Sequence, residues 1–214
     1  DMQYIQEDPI PYSGGLGNIP EANIWGIEAE ASWWLFNDSV QLGINATSLH
    51  GEYPMEYYAL DRREADAAGA AALANGDAPY AWSYEWFVAR GSATVNVEGN
   101  TPPNLPKLAG GINATWFGEL EDGLITARIE YLYRGDYSAR IFSTDVDQVN
   151  SDGLVNMFLQ YEPDDANWKA WITATNLTDK AAIAGRFVDP YGSGVVSDEY
   201  VAPRQVIANF SYNF

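Results

Sequence analysis

The chain has 214 residues, 47% hydrophobic and 14% aromatic, with a formal net charge of -19 and a pI near 4.1. Lys and Arg number 11 against 30 Asp and Glu, which excludes a nucleic-acid partner because phosphate binding needs clustered cations. The absence of Cys removes any disulfide framework, Cys zinc site or thiol nucleophile, and the chain is too apolar for disorder yet has no apolar run long enough for a transmembrane helix.

Apolar residues recur at every second place, the period of a strand with one covered face. The opening DMQYIQ reads as a strand near 1–7. It follows neither Met nor a basic and apolar leader, so the chain is expected to be a fragment. In the strand near 22–36, Trp25, Ile27, Ala29, Ala31, Trp33 and Leu35 oppose Glu28, Glu30 and Ser32. A tight turn at Asn37 and Asp38 leads into the strand near 39–52, with Val40, Leu42, Ile44 and Ala46 on one face. A very long connection follows, near 53–105, and within it RREADAAGAAALA at 62–74 reads as a short helix, a cap or lid. The strand near 106–117 carries Leu108, Ile112, Ala114 and Trp116, and a short turn, GELEDG, ends it. In the strand near 124–137, Ile125, Ala127, Ile129, Tyr131 and Tyr133 oppose Thr126, Arg128, Glu130 and Arg134.

A longer connection near 138–149 precedes the strand near 150–161, with Val155, Met157, Leu159 and Tyr161 aligned. After the short EPDDAN comes the strand near 168–177, with Trp168, Ala170, Ile172 and Ala174 opposing Lys169, Thr173 and Thr175. A long connection near 177–202 leads to the last strand, near 203–214, with Val206, Ala208, Phe210, Tyr212 and Phe214 on one face. About eight strands result, several longer than the usual ~5–6 residues and suited to a tilted bilayer crossing of ~9–11. The connections alternate short and long, as periplasmic turns and extracellular loops do in a membrane barrel. The fold class is therefore all-β, an antiparallel transmembrane β-barrel segment. Lipid covers the apolar faces, and Glu28, Glu30, Arg128, Glu130, Arg134 and Lys169 line the interior.

Three stretches resemble the TonB-dependent outer-membrane receptors. They are Gly26-x-Glu28-x-Glu30, Pro103-Asn104-x-Pro106-Lys107, and Asn176-Leu177-x-Asp179-Lys180. Terminal Phe214, with Phe210 and Tyr212, is similar to the signal read by the outer-membrane barrel assembly machinery. The resemblance implies a barrel of about 22 strands in a Gram-negative outer membrane, of which residues 1–214 are the C-terminal part. The N-terminal barrel strands and the plug domain, through which the TonB complex acts, are then missing. It also implies energised uptake of a scarce solute, a ferric siderophore, cobalamin or a glycan, without catalysis or cofactor.

Tyr57, Tyr58, Trp82, Tyr84 and Trp86, in the longest connection, are the candidate ligand contacts; an interfacial girdle with loop packing is the competing reading. Asp145, Asp147 and Asp152 lack the Gly and bidentate Glu of a Ca²⁺ loop and read as a solvated acidic loop. His50 is the one His, too few for a His-based metal site or a Ser-His-Asp set, so a barrel hydrolase has little support. Glu28 and Glu30 read as a polar lumen row rather than a glycosidase pair. The alternative function is a complete eight-stranded outer-membrane barrel with a structural or adhesion role, filled by its charged interior residues.

Overall fold

The computed structural model describes residues 2–191 and 195–214. In chain order its elements are β1 (Met2–Glu7), β2 (Gly14–Ile19), β3 (Asn23–Leu35), β4 (Val40–Glu52), β5 (Tyr58–Leu60), α1 (Arg62–Asn75), α2 (Tyr84–Gly91) and β6 (Thr94–Asn96). There follow β7 (Leu108–Leu120), β8 (Gly123–Arg134), β9 (Tyr137–Ser138), β10 (Gln148–Val149), β11 (Asp152–Pro163), β12 (Trp168–Thr175), β13 (Ile183–Val188), β14 (Val196–Tyr200) and β15 (Gln205–Tyr212). Seven of them form one antiparallel sheet in the order β3-β4-β7-β8-β11-β12-β15, each paired to its neighbour in sequence within the sheet.

The register joins the period-two faces read from the sequence into one surface. Trp33 lies opposite Leu42, Leu42 opposite Ala114, Ala114 opposite Ile129, Ile129 opposite Met157, Met157 opposite Ala174, and Ala174 opposite Val206. This apolar row crosses all seven strands, and Trp33, Ile129 and Val206 each leave more than half their surface uncovered. The adjacent register row on the other face runs Ser32, Gly43, Asn113, Glu130 and Asn156. There Arg128 Nη2 meets Glu130 Oε1 at 2.7 Å, and Asn156 Nδ2 donates to Glu130 Oε2 at 3.2 Å. Because side chains alternate across a strand, a one-residue slip would put these charges among the aliphatic side chains, so the pattern itself pins the register.

Among the described residues, four short two-stranded pairings, β1–β2, β5–β6, β9–β10 and β13–β14, lie in the segments outside the sheet. The first corrects the reading of residues 1–7 as a barrel strand: Met2–Glu7 is extended but pairs with Gly14–Ile19. Six residues are too few for a crossing of ~9–11, and a strand-compatible run of Gly and Leu only six residues further on gives them a local partner. The barrel sheet thus has seven strands where about eight were expected. Among the described residues its edges, β3 and β15, do not pair with each other, so the sheet is not closed.

Candidate solute-binding site

The turns at 36–39, 121–122 and 164–167 mark one end of the sheet; the connections 53–107, 135–151 and 176–204 all leave from the other. The tight turn before β4 places Phe36, Asn37 and Asp38 at positive φ, with Ser39 Oγ donating to the Phe36 carbonyl at 2.8 Å. At the opposite end the connections pack on one another. Ile19, Tyr53, Ala59, Val97, Ile141 and Phe142 form a buried core drawn from distant segments, with Met2, Tyr4 and Tyr57 against it.

Charged side chains rivet this cap. Arg140 holds three buried carboxylates: Nε meets Asp147 Oδ1 at 2.6 Å, and Nη1 meets Asp61 Oδ1 at 3.1 Å and Glu7 Oε1 at 3.4 Å. Burial pushes the Glu7 carboxyl from its ordinary 4.5 up to about 7; the pull of Arg140 opposes this and the charge of Asp61 adds to it. Arg186 grips Asp198 with both Nε, at 2.7 Å, and Nη2, at 2.8 Å. Its Nη1 donates to the carbonyls of Val146 and Gln148, tying β13–β14 to the 135–151 connection.

The helices form a second unit. Asp61 caps α1 by accepting from the Arg63 N–H at 3.0 Å, and Gly76, at φ 78, closes it in the left-handed conformation. Gly69 lets α2 approach: a Cβ there would sit 2.8 Å from Trp86 Nε1. Trp86 packs on Ala72 and Ala78, and the Arg90 guanidinium lies 4.5 Å from its ring centre while reaching Asp66 at 2.5 Å.

Between β1, the 139–142 segment and β13 lies a cavity of about 250 Å³. Tyr4, Phe142 and Phe187 supply aromatic walls, and Glu7, Arg140 and Arg186 a charged rim. A loop-built, mainly apolar cavity with a few convergent polar groups is the usual form of a small-molecule site.

The sheet, its one-sided loops and this cap coincide with a family match: the TonB dependent receptor-like β-barrel model covers residues 2–177. The chain belongs to that family. Its members are outer-membrane receptors, not enzymes. No curated protein matches the chain. Among solved structures, the ferric yersiniabactin uptake receptor FyuA from Yersinia pestis matches with a TM-score of 0.66 at 15% identity, over 97% of this chain and 26% of that one. The siderophore receptor PiuA from Acinetobacter baumannii matches with a TM-score of 0.62, also at 15% identity, over 97% of this chain and 24% of that one. The chain therefore spans about a quarter of the length of these receptors.

In this TonB-dependent receptor barrel the Asn176-Leu177-x-Asp179-Lys180 stretch turns the chain out of β12. Asn176, at φ 48 and buried, donates to the Lys180 and Ala202 carbonyls at 2.9 and 3.0 Å and accepts from the Lys180 N–H. Asp179 accepts from the Arg204 N–H at 2.8 Å, and Lys180 pairs with Asp152 on β11. Asn104, in the Pro103-Asn104 stretch, likewise takes positive φ and donates its N–H to Ser138.

The five aromatics read as ligand contacts divide. Tyr57 bonds the Tyr4 hydroxyl at 3.1 Å on the cap core, and Trp86 is buried between the helices. Tyr58, Trp82 and Tyr84 are exposed, Trp82 stacking on Trp86 at 5.7 Å. None of the five lines the cavity. The residues that do line it come from segments up to 187 positions apart, and none of them is among the ligand contacts read from the sequence. Asp145, Asp147 and Asp152 do not converge, since Asp147 binds Arg140 and Asp152 binds Lys180. His50 stacks on Trp25 at 4.5 Å with the rings 8° from parallel. Phe210 stacks on Trp168 at 5.7 Å, and Tyr212 meets Phe214 edge-on at 5.1 Å.

Proposed function

We propose that this chain is the C-terminal part of an outer-membrane receptor that takes up a scarce small solute at the expense of TonB-delivered energy. The observation that carries the reading is the one-ended cap: long connections, packed around a cavity, above an apolar-faced sheet that belongs to the receptor family. The apolar face lies in the lipid of a Gram-negative outer membrane. Phe210, Tyr212 and Phe214 present the terminal strand to the barrel assembly machinery. TonB acts through a plug carried by the longer receptor.

Among ferric siderophores, cobalamin and glycans, the first is favoured because the two well-matched structures are a ferric yersiniabactin uptake receptor and a siderophore receptor. Solute meets the exposed Tyr58, Trp82 and Tyr84 first, and Tyr57 and Trp86 support them from below. The eight-stranded structural barrel is disfavoured, because a small complete barrel would pair its two edge strands.

The test is uptake of radiolabelled ferric siderophores by receptor-deficient cells given the whole receptor gene. Uptake that needs both the receptor and TonB is expected, falling at least tenfold when Tyr58, Trp82 and Tyr84 are all changed to Ala. Accumulation that persists without TonB, or no ferric chelate bound at all, would overturn the reading.

A further inference from the structure

Glu7 is the least compensated of the three carboxylates around Arg140. Asp147 also accepts from the Thr144 N–H at 2.9 Å and the Thr144 hydroxyl at 2.7 Å. Asp61 has the Arg63 N–H and two contacts from the Arg140 guanidinium, at 3.1 and 3.4 Å. Glu7 has the Arg62 N–H and one long 3.4 Å contact. One guanidinium therefore faces three carboxylates whose side chains are at most 2% exposed. Uncompensated charge in such surroundings is neutralised by taking up a proton, and the weakest-held carboxylate takes it.

The elements around Glu7 contribute the following charged or titratable groups: Tyr4 on β1 itself, Asp61 with the Arg62 backbone at the start of α1, and Arg140 backed by Asp147. Arg186, paired to Asp198, stands in the same cavity wall. Glu7 is also the junction of three segments, because its strand docks on the 53–107 and 135–151 connections while Tyr4, Ile5 and Glu7 form one wall of the cavity.

We propose that the β1–β2 hairpin is a proton-dependent latch over the cavity, docked when Glu7 is neutral and loosened when it ionises. The proton satisfies the Arg140 cluster; its loss leaves a third buried negative charge against one guanidinium and favours the state in which Glu7 reaches water. The docked carboxyl titrates near 7 and the released one near its ordinary 4.5, so the docked state binds the proton more tightly. Docking is thus strongest below about pH 4.5, weakens as pH rises towards 7, and is flat above it. Access to the cavity rises with pH over that window. The functional consequence rests on the uptake reading; the docking equilibrium does not, and it is measured without any solute.

This chain contains no Cys, and with any Cys in the rest of the receptor changed to Ser a single introduced thiol reports alone. Ile19, fully buried in the cap core, is changed to Cys, and Gly15, open to solvent, is changed to Cys as the reference. The protein in outer-membrane vesicles is reacted with a methanethiosulfonate reagent from pH 5 to 8.5, and the Ile19→Cys rate is divided by the Gly15→Cys rate at each pH. The ratio is expected to rise roughly ten- to a hundredfold between pH 5 and 7.5 and then level. With Glu7→Gln, whose amide keeps the shape of the neutral carboxyl, it stays low at every pH. A ratio independent of pH in the parent, the same rise in the Glu7→Gln protein, or fast labelling of that variant throughout would each overturn the latch. Loss of ferric-chelate uptake with the latch response intact would instead overturn only the uptake reading.

Discussion

Asn176 shows what one side chain contributes to the cap. Its buried amide makes three hydrogen bonds that join the end of β12 to the approach to β15. Asn176→Ala strands the Lys180 N–H and two carbonyls, and an unsatisfied buried polar group costs about 1–3 kcal/mol. Asn also tolerates the left-handed backbone at φ 48 better than Ala. The expected outcome is early protease cleavage within 176–204 with the seven-stranded sheet intact; cleavage at the parent's rate would show that the amide is not the tie. This residue was legible in the sequence because its partners lie within 26 positions, close to the short Asn176-Leu177-x-Asp179-Lys180 stretch. The Arg140 cluster was not: Glu7 and Arg140 are 133 residues apart, and nothing local marks either as an ion-pair partner.

At the scale of elements, the long strands announced themselves because both their faces are defined, one aliphatic and one polar. α1 was legible as an Ala-rich run, and its start and end follow from Asp61 and Gly76. α2 escaped, because its eight residues carry three aromatics that read equally well as loop anchors. Of the five proposed ligand contacts, Trp86 packs between the helices and Tyr57 lies against the cap core. The helix pair depends on Gly69, whose missing Cβ admits Trp86 Nε1 and Arg90 Cγ. Gly69→Val overpacks this contact and is expected to destabilise the helix unit by about 1–3 kcal/mol. Tryptophan emission should shift to the red as Trp86 becomes wet, while the sheet's circular dichroism stays unchanged. Unaltered emission would mean that Trp86 stays buried and the helix contact accommodates the added side chain.

For the whole molecule the decisive quantity is the sign of the environment on each side of the sheet. The sheet is one layer, so water on both sides would wet the continuous row from Trp33 to Val206, far beyond what soluble surfaces expose. Lipid on that side removes the difficulty, and Ile129, central in β8 and in the middle of the row, tests it. In a bilayer, Ile129→Arg places a cation near the midplane, where the cost in such barrels is about 2–4 kcal/mol. Thr126→Arg, three residues earlier on the same strand but facing the interior with Arg128 and Glu130, should cost under about 1 kcal/mol, because that side is wet. Urea unfolding of the barrel in lipid vesicles measures both. If the two substitutions cost the same, the apolar row does not face lipid; if Thr126→Arg is the costlier, inside and outside are reversed. If Ile129→Arg alone is costly, every outward residue aligned with it by the register, from Trp33 on β3 to Val206 on β15, inherits the same orientation. A single substitution pair then orients all seven strands, because no strand can turn its faces over without breaking the register with its neighbours.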